Sequence, residues 1–157
     1  MNATLGILTV WVLAAAGIQL GTLWIMKLSI LPMLNTLPYS RYVVVCQLID
    51  MHAFHPIAVW NGVIAAGIGV WAAFLAPTTA MGALFLVGSV AMVAVGIASE
   101  GFNRPIWRQI EHWSPDREPA KWDRKRTHWH IAHQVRTYAA IVAVVANIGA
   151  FVIGVTP

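Results

Sequence analysis

The sequence predicts an all-α integral membrane protein: a four-helix bundle with a short surface helix after the first span and a polar helical loop between spans three and four. Of the 157 residues, 59% are hydrophobic and only 10% are charged, whereas about 25% of the residues in a soluble domain are charged. Four uncharged windows are each about 20 residues long, the length of a helix that crosses a bilayer. The chain length suits one domain over residues 1–157.

The four uncharged windows define the predicted spans. They are Thr4–Met26, Pro56–Leu75, Thr79–Ala98 and Thr137–Val155. The first is too long for the apolar part of a signal peptide and follows no basic residue, so we expect it to be retained. Four spans put both termini on one side, named face A, and residues 27–55 and 99–136 on the opposite side, named face B.

Basic residues predict the orientation in the cell membrane. All ten Lys and Arg residues fall in the face B segments or at their boundaries. The positive-inside rule therefore predicts cytoplasmic polar loops and external termini. The formal net charge of +4 is explained by contact with anionic lipid headgroups, so we expect membrane lipids and no nucleic acid as partners.

The face B segments carry helix and turn signals. Ser40 is placed to cap a short helix that ends near Asp50. Gly101 to Pro105 predicts that one helix stops and another starts, and Ser114-Pro115-Asp116 predicts a turn. A further helix is predicted from Ala120 to Arg136, leading into span four.

Small and polar residues inside the spans predict helix packing. Gly17 and Gly21 form one small-residue pair, and Gly62, Ala66 and Gly69 form a second strip. Such strips let helices approach closely, either within the chain, the favoured interpretation, or in a homo-oligomer. Gln19 and Asn61 are expected to point into the bundle, where Asn61 is placed to line a cavity opening at face B.

One helix face near the start of span four concentrates polar and aromatic side chains. Trp129, His133 and Arg136 are spaced i, i+4 and i+7, so they project from one side of the helix. An indole, an imidazole and a guanidinium together suit a flat aromatic ligand that carries oxygen. For Arg136, snorkelling to the interface is an equally good interpretation.

Histidines suggest a different chemistry. All six lie in the face B segments, and imidazole with carboxylate is a ligand set for transition metals. The tentative metal ligands are His52, His55, His130 and Asp50, for copper, iron or haem. Tryptophans near face B, including Trp24, Trp60 and Trp107, are predicted to form an interfacial belt.

Three stretches of the chain resemble a known family. They are residues 16–21 with Leu31-Pro32 and Gln47, then Phe102-Asn103-Arg104-Pro105-Ile106, then Trp129, His133, Arg136 and Thr137. The second is similar to an N-x-P-x-N signature and the third to a W-x-x-x-H-x-x-R-T signature. The chain thus resembles the anthrone oxygenase-like family of small four-span membrane proteins, also known as the domain of unknown function 1772. Trp107 stands where that family has its second Asn.

The resemblance implies an oxygenase-like enzyme. Family members with assigned roles oxidise anthrones to anthraquinones with molecular oxygen, so we expect a lipophilic phenolic or polycyclic substrate and no required cofactor. His133 would act as the general base, while Arg136 and Asn103 would stabilise the enolate. Trp129, Gln47, Asn61 and Gln19 would contact the substrate. Two alternatives stay open: a metal- or haem-dependent oxidoreductase, and a non-enzymatic binding, transport or assembly subunit.

Overall fold

The structure, a computed structural model, describes residues 2–49 and 54–156, and in these ranges the chain is helical without any strand. The helices are α1 (Ala3–Ile25), α2 (Leu31–Asn35), α3 (Tyr39–Leu48), α4 (Phe54–Leu75), α5 (Thr79–Ala98), α6 (Arg104–Ile110) and α7 (Trp122–Val155).

The long helices form a bundle. Within the described ranges, four helical stretches are long and apolar enough to cross a membrane. Helix α5 packs against α4 and α7, and α1 packs against the same two helices from the other side. The predicted four-helix bundle of a multi-pass membrane protein is therefore confirmed.

Two of the long helices continue farther than predicted. A π-helical turn at Met26–Ile30 joins α1 to α2, and another at Ser99–Asn103 joins α5 to α6, so the predicted stop near Gly101 is wrong. Pro32 and Pro105 explain the turns, because proline lacks an N–H and clashes with the carbonyl four residues earlier. A wider π-helical turn just before each proline lets the helix continue.

Two predicted helix starts also differ from the structure. Helix α3 begins at Tyr39 with Pro38 as its N-cap, so Ser40 lies inside the helix and does not cap it. Helix α7 is one continuous helix that begins at Trp122, after Lys121 in the left-handed conformation with φ 63°. The polar helix and span four are thus one rigid element.

Some glycines in the spans pack against a neighbouring helix, and others face outward. An added Cβ at Gly69 would collide with Ser89 Oγ, and one at Gly88 would lie 2.8 Å from Asn147 Oδ1, so these glycines permit close helix packing. Among the described residues, and apart from the chain neighbours and helix backbone of each glycine, no atom lies within 4 Å of a Cβ added at Gly17 or Gly21. The predicted packing of this pair within the chain is therefore wrong, because both face outward.

Aromatic side chains hold the face B segments together. Trp107, Trp122 and Trp129 pack with Tyr39 and Tyr42 of α3 in one buried cluster. Trp107, predicted to belong to an interfacial belt, is instead buried against Trp129, with ring centroids 5.7 Å apart. This cluster fixes α3 and the loop after α6 over the face B end of α7.

Candidate functional site

A cavity opens between the helices in the face B half of the bundle. It has a volume of about 350 Å³ and lies between α1, α4 and α5, with Arg136 of α7 in its wall. Apolar side chains and glycines make up most of the lining, and the polar residues His55, Ser99, Glu100 and Arg136 gather at the face B end. Val63, Val93 and Ile97 line the cavity and are exposed on the outer surface of the bundle. The mouth therefore lies on the apolar outer surface of the bundle.

Arg136 is the cation of this cavity. Its side chain is 8% exposed, and its Nη2 and Nε donate to Nδ1 of His133 at 2.8 and 3.3 Å. Nη1 donates to Ser99 Oγ at 3.3 Å. No Asp or Glu of the described residues pairs with Arg136, so its charge is solvated by neutral acceptors alone. Arg136 turns into the bundle and does not snorkel.

Asn103 is the third side chain, after His133 and Ser99, that binds the Arg136 guanidinium. We call these three side chains the cradle. With its amide oriented so that both polar ends are satisfied, its oxygen accepts from Arg136 Nη2 at 3.0 Å. Its nitrogen then donates to the carbonyl oxygen of Trp129 at 3.2 Å. The two residues expected to stabilise an enolate, Asn103 and Arg136, are thus hydrogen-bonded to each other.

His133 lies behind Arg136. It is fully buried, and its Nε2 donates to the carbonyl oxygen of Leu23 at 3.0 Å. Because a carbonyl oxygen can only accept, Nδ1 is the acceptor for the Arg136 guanidinium. Neither ring nitrogen has a lone pair directed into the cavity, so this geometry orients Arg136.

Trp129 shares the predicted helix face with His133, and their ring centroids lie 6.4 Å apart. It is 2% exposed, packed between Trp107 and His133, and absent from the described cavity lining. The indole therefore supports the cradle from outside the cavity.

His55 and Glu100 form a second polar group in the cavity wall. Nε2 of His55 pairs with Oε1 of Glu100, and Oε2 of the same carboxylate pairs with Arg104. Both residues also line a neighbouring polar cavity of about 430 Å³, together with Arg104 and Arg108. The pair thus stands between an apolar cavity and a polar one.

The remaining predicted binding residues are divided between the cavity and its surroundings. Gln19 lines the cavity, and its Oε1 accepts from Asn61 Nδ2 at 3.4 Å. Asn61 Nδ2 also donates to the Ala15 carbonyl oxygen at 3.0 Å, which links α1 to α4. Gln47 lies on α3, where its Nε2 donates to the carbonyl oxygens of Ile110 and Trp113. Asn61 thus links α4 to α1, and Gln47 links α3 to the end of α6 and the loop that follows it.

The predicted metal ligands are only partly described. Asp50 and His52 lie outside the described residues. His55 is paired with Glu100, and the His130 ring packs against Trp129, its buried Nε2 having no hydrogen-bond partner. Among residues 2–49 and 54–156, no three His, Cys, Asp or Glu side chains form a group that could hold a metal ion.

Sequence reasoning missed three contributors to the cavity. Ser99 was not singled out, because only the π-helical turn directs its hydroxyl toward Arg136. The ion pair of Glu100 with Arg104 was missed as well, although their spacing of four residues favours one. Gly96, which lies in the wall, had no signal in the sequence beyond being a glycine in a span.

Comparison of the chain with protein-family models, with curated proteins and with solved structures gives no match in any of the three.

Proposed function

We propose that the protein binds a lipophilic molecule with an acidic oxygen, such as a phenol or an enolisable polycyclic ketone, and oxidises it with molecular oxygen. The observation that carries this proposal is the buried Arg136 guanidinium at the polar end of an apolar cavity, where no carboxylate of the described residues pairs with it. A buried charge is costly unless it is paired. An incoming phenolate or enolate would supply that pair.

The cavity walls support a substrate dissolved in the membrane. The mouth residues Val63, Val93 and Ile97 face outward, where acyl chains surround the bundle. A flat apolar body fits between α4 and α5, and its oxygen reaches the guanidinium at the face B end. Hydrogen bonds to an ionised oxygen are roughly twice as strong as neutral ones, so Arg136 would favour the anion over the neutral form.

Oxidation then needs a proton acceptor. We assign this role to His55 in place of His133, because Nδ1 of His133 is already occupied by Arg136. Nδ1 of His55 would take the proton from the substrate carbon while Nε2–H stays bonded to Glu100. The proton would leave through the polar cavity that holds Arg104 and Arg108.

The overall reaction balances without a cofactor. Loss of the proton from a CH₂ carbon leaves a carbanion stabilised as the enolate at Arg136. The carbanion transfers its electrons to dioxygen and forms a C–O bond, and protonation gives a hydroperoxide. Loss of water from the hydroperoxide gives the ketone, so one CH₂ group and one O₂ become one C=O group and one H₂O. The resemblance to the anthrone oxygenase-like family supports this reaction class.

We also propose that face B is cytoplasmic and that the termini are external, in the cell membrane. The concentration of basic residues on face B supports this orientation.

The decisive experiment compares Arg136→Gln with Arg124→Gln, since Arg124 is an exposed arginine on the same helix. In lipid nanodiscs we measure the binding of 1,8-dihydroxyanthraquinone and the uptake of oxygen with anthrone, above the rate in empty nanodiscs. Arg136→Gln is expected to weaken binding about tenfold or more, the value of one hydrogen bond to a charged group. Arg124→Gln should match the wild type.

Variants at His55 separate the chemistry from binding. His55→Gln is expected to bind the quinone normally and to lose oxygen uptake. Wild-type protein that binds the quinone but consumes no oxygen would instead be a binding or transport protein. Unchanged binding and turnover in a folded Arg136→Gln protein would refute the proposal.

A further inference from the structure

Glycines that face the cavity differ from those that pack the helices. An added Cβ at Gly82 would lie 3.2 Å from the Ala73 carbonyl oxygen, and one at Gly88 would lie 2.8 Å from Asn147. Close packing requires a glycine at such positions. At Gly62 the nearest atom is the terminal methyl of Met92 at 3.8 Å, and at Gly96 nothing lies within 4 Å. Helix packing therefore does not explain Gly62 and Gly96.

Gly62 and Gly96 lie on facing stripes of α4 and α5. Ala58, Gly62 and Ala66 follow one another at intervals of four on α4, and all three line the cavity. Met92, Gly96 and Glu100 do the same on α5 and its continuation. Residues four apart share one helix face, so both stripes turn toward the cavity.

The close approach of α4 and α5 ends where the cavity begins. Toward face A, Gly69 lies against Ser89 and Gly82 against Ala73. Toward face B, both helices line the cavity: a Cβ at Gly62 would touch only the terminal methyl of Met92, and Gly96 faces open space among the described residues. Since alanine or leucine is a better helix former than glycine, glycines at these two cavity-lining positions carry a conformational cost that no close helix contact offsets.

We propose that Gly62 and Gly96 are specificity-determining positions, whose missing side chains give the cavity the width for a flat ligand of several fused rings. This inference rests on the proposed function, because it concerns the ligand that binds beside Arg136. Any larger side chain at Gly96 would project into the space that the rings occupy. Single-ring phenols need less width and would still reach Arg136.

The test compares Gly96→Leu with Gly17→Leu. Neither glycine has a neighbour within 4 Å of an added Cβ, but Gly17 lies outside the described cavity lining. Affinities for 1,8-dihydroxyanthraquinone and for 4-ethylphenol are measured in nanodiscs with each variant. Gly96→Leu is expected to weaken binding of the three-ring ligand about tenfold or more, as overpacking does. It should change 4-ethylphenol binding by less than about twofold, and Gly17→Leu should change neither.

The outcomes separate this inference from the function on which it rests. If wild-type protein binds neither ligand, the proposed function fails and the inference fails with it. If wild-type protein binds both, and Gly96→Leu weakens them equally or not at all, the inference alone is overturned.

A milder variant guards against a folding defect. Gly96→Ala adds a single methyl group to open space, so the helix should form at least as well as in the wild type. Its affinity for the three-ring ligand should fall about threefold, with little change for 4-ethylphenol. Where Gly96→Leu does not fold, an unchanged affinity ratio in Gly96→Ala overturns the inference.

Discussion

Substitution of Gly69 tests the close contact between α4 and α5 that borders the cavity. In Gly69→Ala the new Cβ would collide with Ser89 Oγ, while its next neighbours, the Phe85 carbonyl oxygen and Ser89 Cβ, lie at ordinary distances of 3.5 and 3.7 Å. The hydroxyl must rotate away and lose its 2.9 Å hydrogen bond to the Phe85 carbonyl oxygen, or the helices must separate. We expect a loss of about 1–3 kcal/mol in the free energy of unfolding.

A second substitution should remove that cost. Ser89→Ala alone loses one hydrogen bond within a helix, about 0.5–1.5 kcal/mol. In the double variant the colliding oxygen is absent, so Gly69→Ala should add almost nothing to the cost of Ser89→Ala. The expected coupling free energy is therefore the whole cost of Gly69→Ala, about 1–3 kcal/mol. Gly17→Ala is the matched control and should be neutral or slightly stabilising, because its Cβ meets no atom.

The free energy of unfolding is measured for the wild type and the four variants in detergent. Increasing mole fractions of sodium dodecyl sulfate unfold the protein, and circular dichroism follows the unfolding. Additive costs of the two substitutions, with no coupling, would show that Gly69 and Ser89 are not in contact. The close contact of α4 with α5 at Gly69 would then be incorrect. The spacing of the same two helices around the cavity would be incorrect as well.

Two predictions concern the face B cluster. Burial raises the pKa of the Cys46 thiol to about 11. Cys46 should therefore stay protonated at pH 8 and react with N-ethylmaleimide only after the protein is unfolded. Rapid labelling of the folded protein would contradict the burial of Cys46. Tyr39 Oη donates to the carbonyl oxygens of Ser114 and Arg117, so Tyr39→Phe should lower the free energy of unfolding by about 1 kcal/mol. In the same denaturation assay the exposed Tyr138→Phe is the control, and equal stability of both variants would argue against those two hydrogen bonds.

The four spans could be predicted from the sequence because they depend on length and the absence of charge. Span three was predicted as Thr79–Ala98, which are the bounds of α5. The continuations beyond Met26 and Ala98 could not be predicted, since proline and glycine are ordinary signals for a helix end. A π-helical turn that accommodates a proline has no comparable signature.

The sequence predicted which residues of the candidate site lie together, but it did not predict which of them line the cavity. Helical spacing brought Trp129, His133 and Arg136 onto one face, and the structure confirms that face. Spacing does not say which of the three reaches open space. That depends on how α7 rotates against α1, where the Leu23 carbonyl oxygen binds His133. Only Arg136 of the three lines the cavity.

The depth of Arg136 makes its orientation informative. From Arg136 to Val155, α7 rises about 28 Å, close to the roughly 30 Å thickness of the hydrocarbon core. The uncharged part of α7 is therefore about one core thickness long and begins directly after Arg136, and an arginine at such a position ordinarily reaches outward to headgroups. Here Ser99, Asn103 and His133 draw the guanidinium inward. Two of these acceptors come from the π-helical turn Ser99–Asn103, and such turns are frequent at functional sites. The three acceptors thus hold the guanidinium at the end of the apolar cavity, the place where the proposed function needs a cation for the substrate anion.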